Sequence, residues 1–479
     1  MLRFVCDRQS ASGSITRREW LRLGGLAGLG LAAWSPRSLA ASPVAPQRRA
    51  GFGRARSVIL VYTSGGQSQL DTWDPKPEAP VEIRGDFRPI RTAVPGTLVC
   101  EHLPRLARLA HLYSIVRNVS HDDLDHGSAT YLALTGHFHA RKSGNPPPQP
   151  TDQPTYGALL HRVRPATRHP YTAVHVNGPA LVPEQTAPGQ YAGFLGRGCE
   201  PLLVGDASAE PVALRGLDPL AELPPVRTEA RRSLLQSLEG YRRRLAQERP
   251  LLDMDTVYRR AYELLSAPEF RRAFDLDREP RAVRDRYGRN RSGQACLLAR
   301  RLVEAGVPWI TVVWNHTNRG QDREPGQTDW YGWDTHNDIF EALRDHLLPR
   351  FDQSFSALLL DLEQRGLLDE TLVVCMGEFG REPRVALETR FAGSSPGRKH
   401  WAAVYSLVMA GAGVTGGGVV GGSDRIAAYP RTPPVGPWDV AATMFASLGV
   451  DPGTHYQDVT GRPLPLTTGR SISELYGLR

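Results

Sequence analysis

A set of short apolar runs separated by helical patterns constrains the fold most strongly. Ser57-Val58-Ile59-Leu60-Val61-Tyr62 is rich in branched and aromatic residues and stops at Gly65-Gly66. Tyr113–Val116, Tyr171–Val176, Trp309–Trp314, Thr371–Met376 and Val404–Met409 are further runs of this kind. Near-continuous apolar runs of this length predict buried strands that need cover on both faces. Between them, His102–His111 carries Leu103, Leu106 and Leu109 at helical spacing. A long amphipathic stretch follows His336 as far as Arg365 and stops at Gly366, and Trp438–Leu448 stops at Gly449. Strands alternating with helices predict an α/β fold, a mainly parallel sheet sandwiched by helices. One such domain is expected over 57–479, with 180–300 as a candidate helical insertion that is broken near Pro250, Pro268 and Pro280. The proline-rich stretch 141–154 reads as a loop or lid, and Gly417–Gly422 as a glycine-rich hairpin.

Residues 1–40 read as an export signal. Arg17-Arg18 precede an apolar run from Leu23 to Ala33, and Ser38-Leu39-Ala40 has the small-x-small form of a cleavage site. Paired arginines before such a run predict the twin-arginine export machinery as a partner, and hence a periplasmic or extracellular protein. Residues 41–56, rich in proline and arginine, read as a linker. The signal's six arginines and two acidic residues account for half of the formal charge of +8. The remainder is too small over such a length to argue for nucleic acid. Nothing approaches 18 consecutive apolar residues, which excludes a multi-pass membrane protein. After the signal come Cys100, Cys199, Cys296 and Cys375, without the spacing of a disulfide framework or a zinc finger. Lysine occurs at just three positions, Lys76, Lys142 and Lys399, so Lys399 beside His400 draws notice as a compact cation.

In a sheet of this type ligands bind beyond the carboxyl ends of the strands, and the unusual polar residues fall in the corresponding loops. Asp71 follows the first strand. His121, Asp123, Asp125, His126 and Ser128 follow the second. Asp334 and His336 follow the Trp309 strand, Glu378 and Arg381 follow the Thr371 strand, and Arg398-Lys399-His400 precede the Val404 strand. Singly, each has an ordinary structural use such as a helix cap. Gathered at one edge, oxygen and imidazole donors predict a divalent metal, be it Zn, Ca, Mg or Mn. Gly411-Ala412-Gly413-Val414-Thr415-Gly416 matches a dinucleotide fingerprint by letter, but no helix follows to hold a phosphate.

The ordered motifs SGGQSQLDTWDPKP, HDDLDHGSATYLALTGH, WDTH, GEFGREP and GRKHW resemble the bacterial family called domain of unknown function 1501, from about Ser57 to the end of the chain. That family looks like a branch of the alkaline phosphatase and sulfatase superfamily. The resemblance implies an alkaline phosphatase/sulfatase-like α/β fold and hydrolysis of sulfate or phosphate esters at one or two metals. It implies metal ligands among Asp71, His121, Asp123, His126, Asp334, His336, Glu378 and His400. The nucleophile position falls near His126, with Ser128 or Thr130 as the attacking hydroxyl and Lys399 in support. Arg381, Arg398 and Lys399 are the implied contacts to an anionic ester, borne by a sulfated or phosphorylated polymer. Several ligands depart from the superfamily pattern: Ser64 stands where an aspartate is expected, Glu378-Phe379 replaces an Asp-His pair, and Asp334 and His336 are two residues apart. The alternative is a non-catalytic exported binding or assembly protein on the same fold.

Overall fold

The computed structural model describes residues 50–210, 212, 259–261, 263, 264, 267–321 and 323–477. The expected export signal, most of the linker 41–56 and the middle of the stretch 180–300 lie outside the described residues. Eight strands form the central sheet: β1 Ser57–Tyr62, β2 Tyr113–Val119, β3 Ala173–Val176, β4 Leu202–Val204, β5 Trp309–Val313, β6 Thr371–Met376, β7 Tyr405–Ala410 and β8 Val419–Val420. Their order across the sheet is β8-β2-β7-β6-β1-β5-β3-β4. β1 lies at the centre, parallel to both β6 and β5. β7 alone runs antiparallel to its neighbours β6 and β2. The sheet is therefore mainly parallel, as the unbroken apolar runs require.

Alternation along β1 shows why both faces must be covered. Ile59 and Val61 point into one core, shared with helices Arg291–Glu304 and Leu348–Gln364. Val58, Leu60 and Tyr62 point into the other, shared with helices Tyr156–Val163 and Pro437–Ser447. The Arg291–Glu304 helix starts cleanly because the Asn290 side chain accepts the Gly293 N–H at 2.8 Å. Among the described residues no helix is long and apolar enough to cross a membrane, and the four cysteines are free.

Three local expectations are corrected. The helix expected over His102–His111 is confined to Pro104–Arg108, because Pro104 sets its first turn, and a 3-10 turn follows. The long helix starts at Ile339 after Asp338, which is left-handed with φ 53°, so His336 is held in a loop. That helix widens to a π turn at Ala342–Leu347, just before Pro349, which has no N–H to give the carbonyl one turn back. Finally, Val419 and Val420 do not form a hairpin of their own; they pair parallel to β2 at the sheet edge.

His175 in β3 carries a testable consequence. It is 2% exposed, its Nε2 has no partner, and burial pushes its pKa down to about 4. The unfolded chain binds a proton near pH 6.5 that the fold refuses, so stability falls as pH drops from about 6.5 towards 4. Between pH 7 and pH 5 this group alone should remove about 2 kcal/mol. Urea unfolding at both pH values should show a correspondingly smaller loss in His175→Leu; an unchanged loss would discount the group.

Candidate metal centre

Because β7 is antiparallel, the loop that precedes it reaches the same sheet edge as the loops that follow β1, β2, β5 and β6. A two-residue ladder, Gly380↔Trp401 and Arg381↔His400, ties the β6 loop to the segment before β7. Residues distant in sequence thereby meet. His126 opens the buried helix His126–Thr135, Asp334 and His336 come from the loop after β5, and His400 from the short ladder.

Asp334 Oδ1 is the focus of this cluster. His126 Nε2, His336 Nε2 and His400 Nε2 lie 3.2, 3.3 and 3.2 Å from it, and Arg381 Nη2 lies 2.7 Å away. His336 Nε2 is also 2.9 Å from His400 Nε2. The outward nitrogens of two rings are already committed. His126 donates Nδ1–H to Glu378 Oε1 at 2.6 Å, and His400 donates Nδ1–H to the Leu124 carbonyl at 2.6 Å. Both rings therefore turn Nε2 inward, as metal-ligating histidines oriented by a carboxylate or carbonyl do. Buried His126 Nε2 has Asp334 Oδ1 as its facing partner, at 3.2 Å. His126, Asp334 and His400 present ligand atoms within 4.8 Å of one another. Two inward-turned imidazole nitrogens and a shared carboxylate fit a divalent ion.

The electrostatics agree with that fit. Burial opposes ionisation of Asp334, but His126 and Arg381 outweigh it and hold the carboxyl well below the usual range. Burial would likewise lower His126, yet Asp334 and Glu378 raise it to about 9. Burial pushes His336 down to about 3, with Arg381, His400 and His126 adding to the effect against the pull of Asp334. His400 is lowered by burial and by His126. A divalent ion here would meet two neutral imidazoles and a carboxylate, and would displace the His126 proton.

The other predicted residues take supporting places. Glu378, fully buried, accepts from Tyr62 Oη at 2.9 Å and from the Gly65 N–H at 2.8 Å as well as from His126, so it orients a ligand from behind. Thr130 Oγ1 lies 2.7 Å from Tyr62 Oη, and burial holds the tyrosine protonated, so the threonine hydroxyl is committed to this chain of bonds. Ser128, in the first turn of the helix His126–Thr135, donates to Asp123 Oδ1 at 2.8 Å in the preceding loop. His121 donates to the Glu378 carbonyl at 2.6 Å and accepts the Asp123 N–H at 3.1 Å, which occupies both ring nitrogens.

Asp71 and Arg398 are brought together instead as a separate buried pair, at 2.8 and 3.2 Å. Arg381 is buried and fastened to the Gly65, Gly66 and Arg398 carbonyls, so it locks Asp334 in place. Lys399 stands half-exposed beside His400, 3.5 Å from Glu388. Sequence reasoning missed Tyr62, the Leu124 carbonyl and Phe391, whose ring stacks on His336 at 3.8 Å. Tyr62, a hydroxyl ending an otherwise apolar strand, was the one with a readable signal. Gly65 holds φ +117°, and a side chain there would strike the Asp334 backbone, so the turn after β1 needs glycine.

Several solved structures resemble this chain at TM-scores below 0.5. Ps i-CgsB gives 0.41 at 12% identity, covering 88% of this chain and 76% of its own. A phosphonate monoester hydrolase from Silicibacter pomeroyi gives 0.38 at 13%, covering 89% and 77%. The PsFucS1 sulfatase from Pseudoalteromonas sp. gives 0.37 at 14%, covering 88% and 72%. No curated protein sequence matches the chain. A protein family described as protein of unknown function, DUF1501, matches residues 55–476, which is nearly all of the described fold, and the chain belongs to that family.

Proposed function

We propose that this protein is an exported, metal-dependent hydrolase of sulfate or phosphate esters. The observation that carries the reading is the convergence of three imidazole Nε2 atoms on Asp334 Oδ1, with His126 Nε2 buried and facing that carboxylate at 3.2 Å. His126, Asp334 and His400 would hold the ion, with His336 at the edge of the set. A donor set rich in nitrogen suits zinc or another borderline metal better than calcium or magnesium. When bound, the metal would supply Lewis-acid polarisation of the ester oxygens.

The chain's own groups then divide the work. Glu378 and the Leu124 carbonyl keep the two ligand rings in one tautomer. Arg381 fixes the carboxylate. The rings of Phe379 and Phe391 wall the imidazoles, at 4.7 Å from His400 and 3.8 Å from His336, and keep water from part of the site. Lys399, exposed next to a ligand, is the cation placed to meet an anionic ester. Ser128 and Thr130 serve the scaffold through Asp123 and Tyr62. The Arg17-Arg18 signal supports export.

The test is a screen of aryl sulfates and aryl phosphates with protein loaded with Zn, Mn, Ca or Mg. Turnover is expected with at least one ester. Asp334→Ala should abolish it, and Lys399→Ala should raise KM several-fold at nearly unchanged kcat, the mark of a lost binding contact. Absence of turnover with every ester and metal would leave the non-catalytic binding protein as the reading.

A further inference from the structure

We infer a second binding site, for a neutral carbohydrate, in a cavity of about 530 Å³ between the turn 326–330 and the N-terminal part of helix Leu348–Gln364. It is built from groups that take no part in the metal cluster, and the inference does not depend on the hydrolase reading. Its volume lies within the range of small-ligand pockets. Trp330 lies on its lining and is 45% exposed, although tryptophan is among the most costly side chains to leave in water. Among the described residues the one ring packed near it, His316, meets it edge-on at 5.8 Å and 73°.

The charges in the cavity decide the class of ligand. Asp329 is answered by Arg350 at 3.1 Å, and Asp345 by Arg344 at 2.8 and 2.7 Å. With both carboxylates compensated, the cavity offers little to a metal or an organic cation. What remains is dipolar. Among the described residues the Gln327 amide has no side-chain bond, Asn290 spends its oxygen on the helix cap, and Gln353 spends its nitrogen on the Asp285 carbonyl. The Asn290 NH2 and the Gln353 carbonyl are thus left for a ligand. An aromatic face beside uncharged donors and acceptors matches a sugar ring, whose C–H face is apolar and whose edge carries hydroxyls.

The site is also stiff. Arg350 ties the turn by bonds to the Thr328 and Tyr331 carbonyls at 2.7 and 2.9 Å, and Tyr331 stacks on His346 at 3.9 Å and 10°. A platform already held in place loses little freedom on binding.

Native gel electrophoresis through agarose, dextran, laminarin and galactomannan tests this. The protein should be retarded by at least one of these neutral polymers. Trp330→Ala should weaken that retardation about tenfold or more, and Trp330→Phe should keep part of it. Asp334→Ala, which dismantles the metal cluster, should migrate like the parent. If Trp330→Ala fails to fold by circular dichroism, Gln327→Ala takes its place with the same expected loss. Free migration of the parent in all four gels, or undiminished retardation of the folded variants, would overturn the site. A parent protein that is retarded but hydrolyses no ester would count against the hydrolase reading alone.

Discussion

Purified with divalent metals present and then dialysed, the protein should retain about one equivalent of metal, and Asp334→Ala combined with His400→Ala should retain less than about a tenth of that. The size of the effect follows from the geometry. Asp334 Oδ1 is the atom that three Nε2 nitrogens and Arg381 all approach, and His400 contributes one of the two inward-turned nitrogens fixed by an outer partner. Removing both leaves His126 and His336 without a carboxylate, a poor set for any divalent ion.

Glu378→Gln tests the layer behind the ligands. An amide keeps the shape and can still accept the His126 Nδ1–H, but it removes the negative charge that makes the ring a better donor. Metal affinity should fall about 10- to 100-fold with the fold intact. Elemental analysis of the parent and double variant, with competition against a chelator for Glu378→Gln, reads all of this. Equal metal in parent and double variant, or negligible metal in both, would mean that the cluster is a structural network of imidazoles around one carboxylate.

Breaking the Asp71–Arg398 pair should cost about 3–5 kcal/mol of folding stability, read by urea unfolding of Asp71→Ala. Both side chains are fully buried, and the pair joins the loop after β1 to the segment before β7 across 327 residues of sequence. Arg398 also donates to the Ile83 carbonyl at 2.8 Å and to the Glu382 and Pro383 carbonyls. Asp71→Ala leaves that guanidinium buried without a counter-charge. Arg398→Met should cost at least as much, because it strands a buried carboxylate and several carbonyls together. A loss below about 1 kcal/mol in both variants would show that water or local rearrangement compensates for the pair.

The central strands were readable because their signal is local. A run such as Leu372-Val373-Val374 has no polar face to leave in water, so it must lie between two layers wherever it falls in the chain. The two-residue strand β8 escaped notice, since Val419-Val420 among glycines is too short to reveal its partner. The break at Asp338 was similarly hidden. Its left-handed backbone depends on its carboxylate meeting the N–H groups of Ser394 and Ser395, which are 56 and 57 residues away.

For the candidate centre, residue type and loop position singled out the imidazoles and carboxylates that matter, together with several that do not. Glu378, His121 and Asp123 stand in the same loops as the ligand candidates and differ from them in what they touch. The reach of a hydrogen bond or ion pair is about 3 Å, and the groups that decide each role arrive from far along the chain: Glu378 from 252 residues beyond His126, and Leu124 from 276 residues before His400. Composition and periodicity in the amino-acid sequence were enough to determine a mainly parallel sheet covered on both faces, with polar residues at one edge, because burial acts on each segment separately. Which nitrogen faces inward, and which acid meets a cation rather than an arginine, was decided by tertiary structure alone, because a polar atom's role is set by its neighbour and the neighbours come together only when the chain has folded.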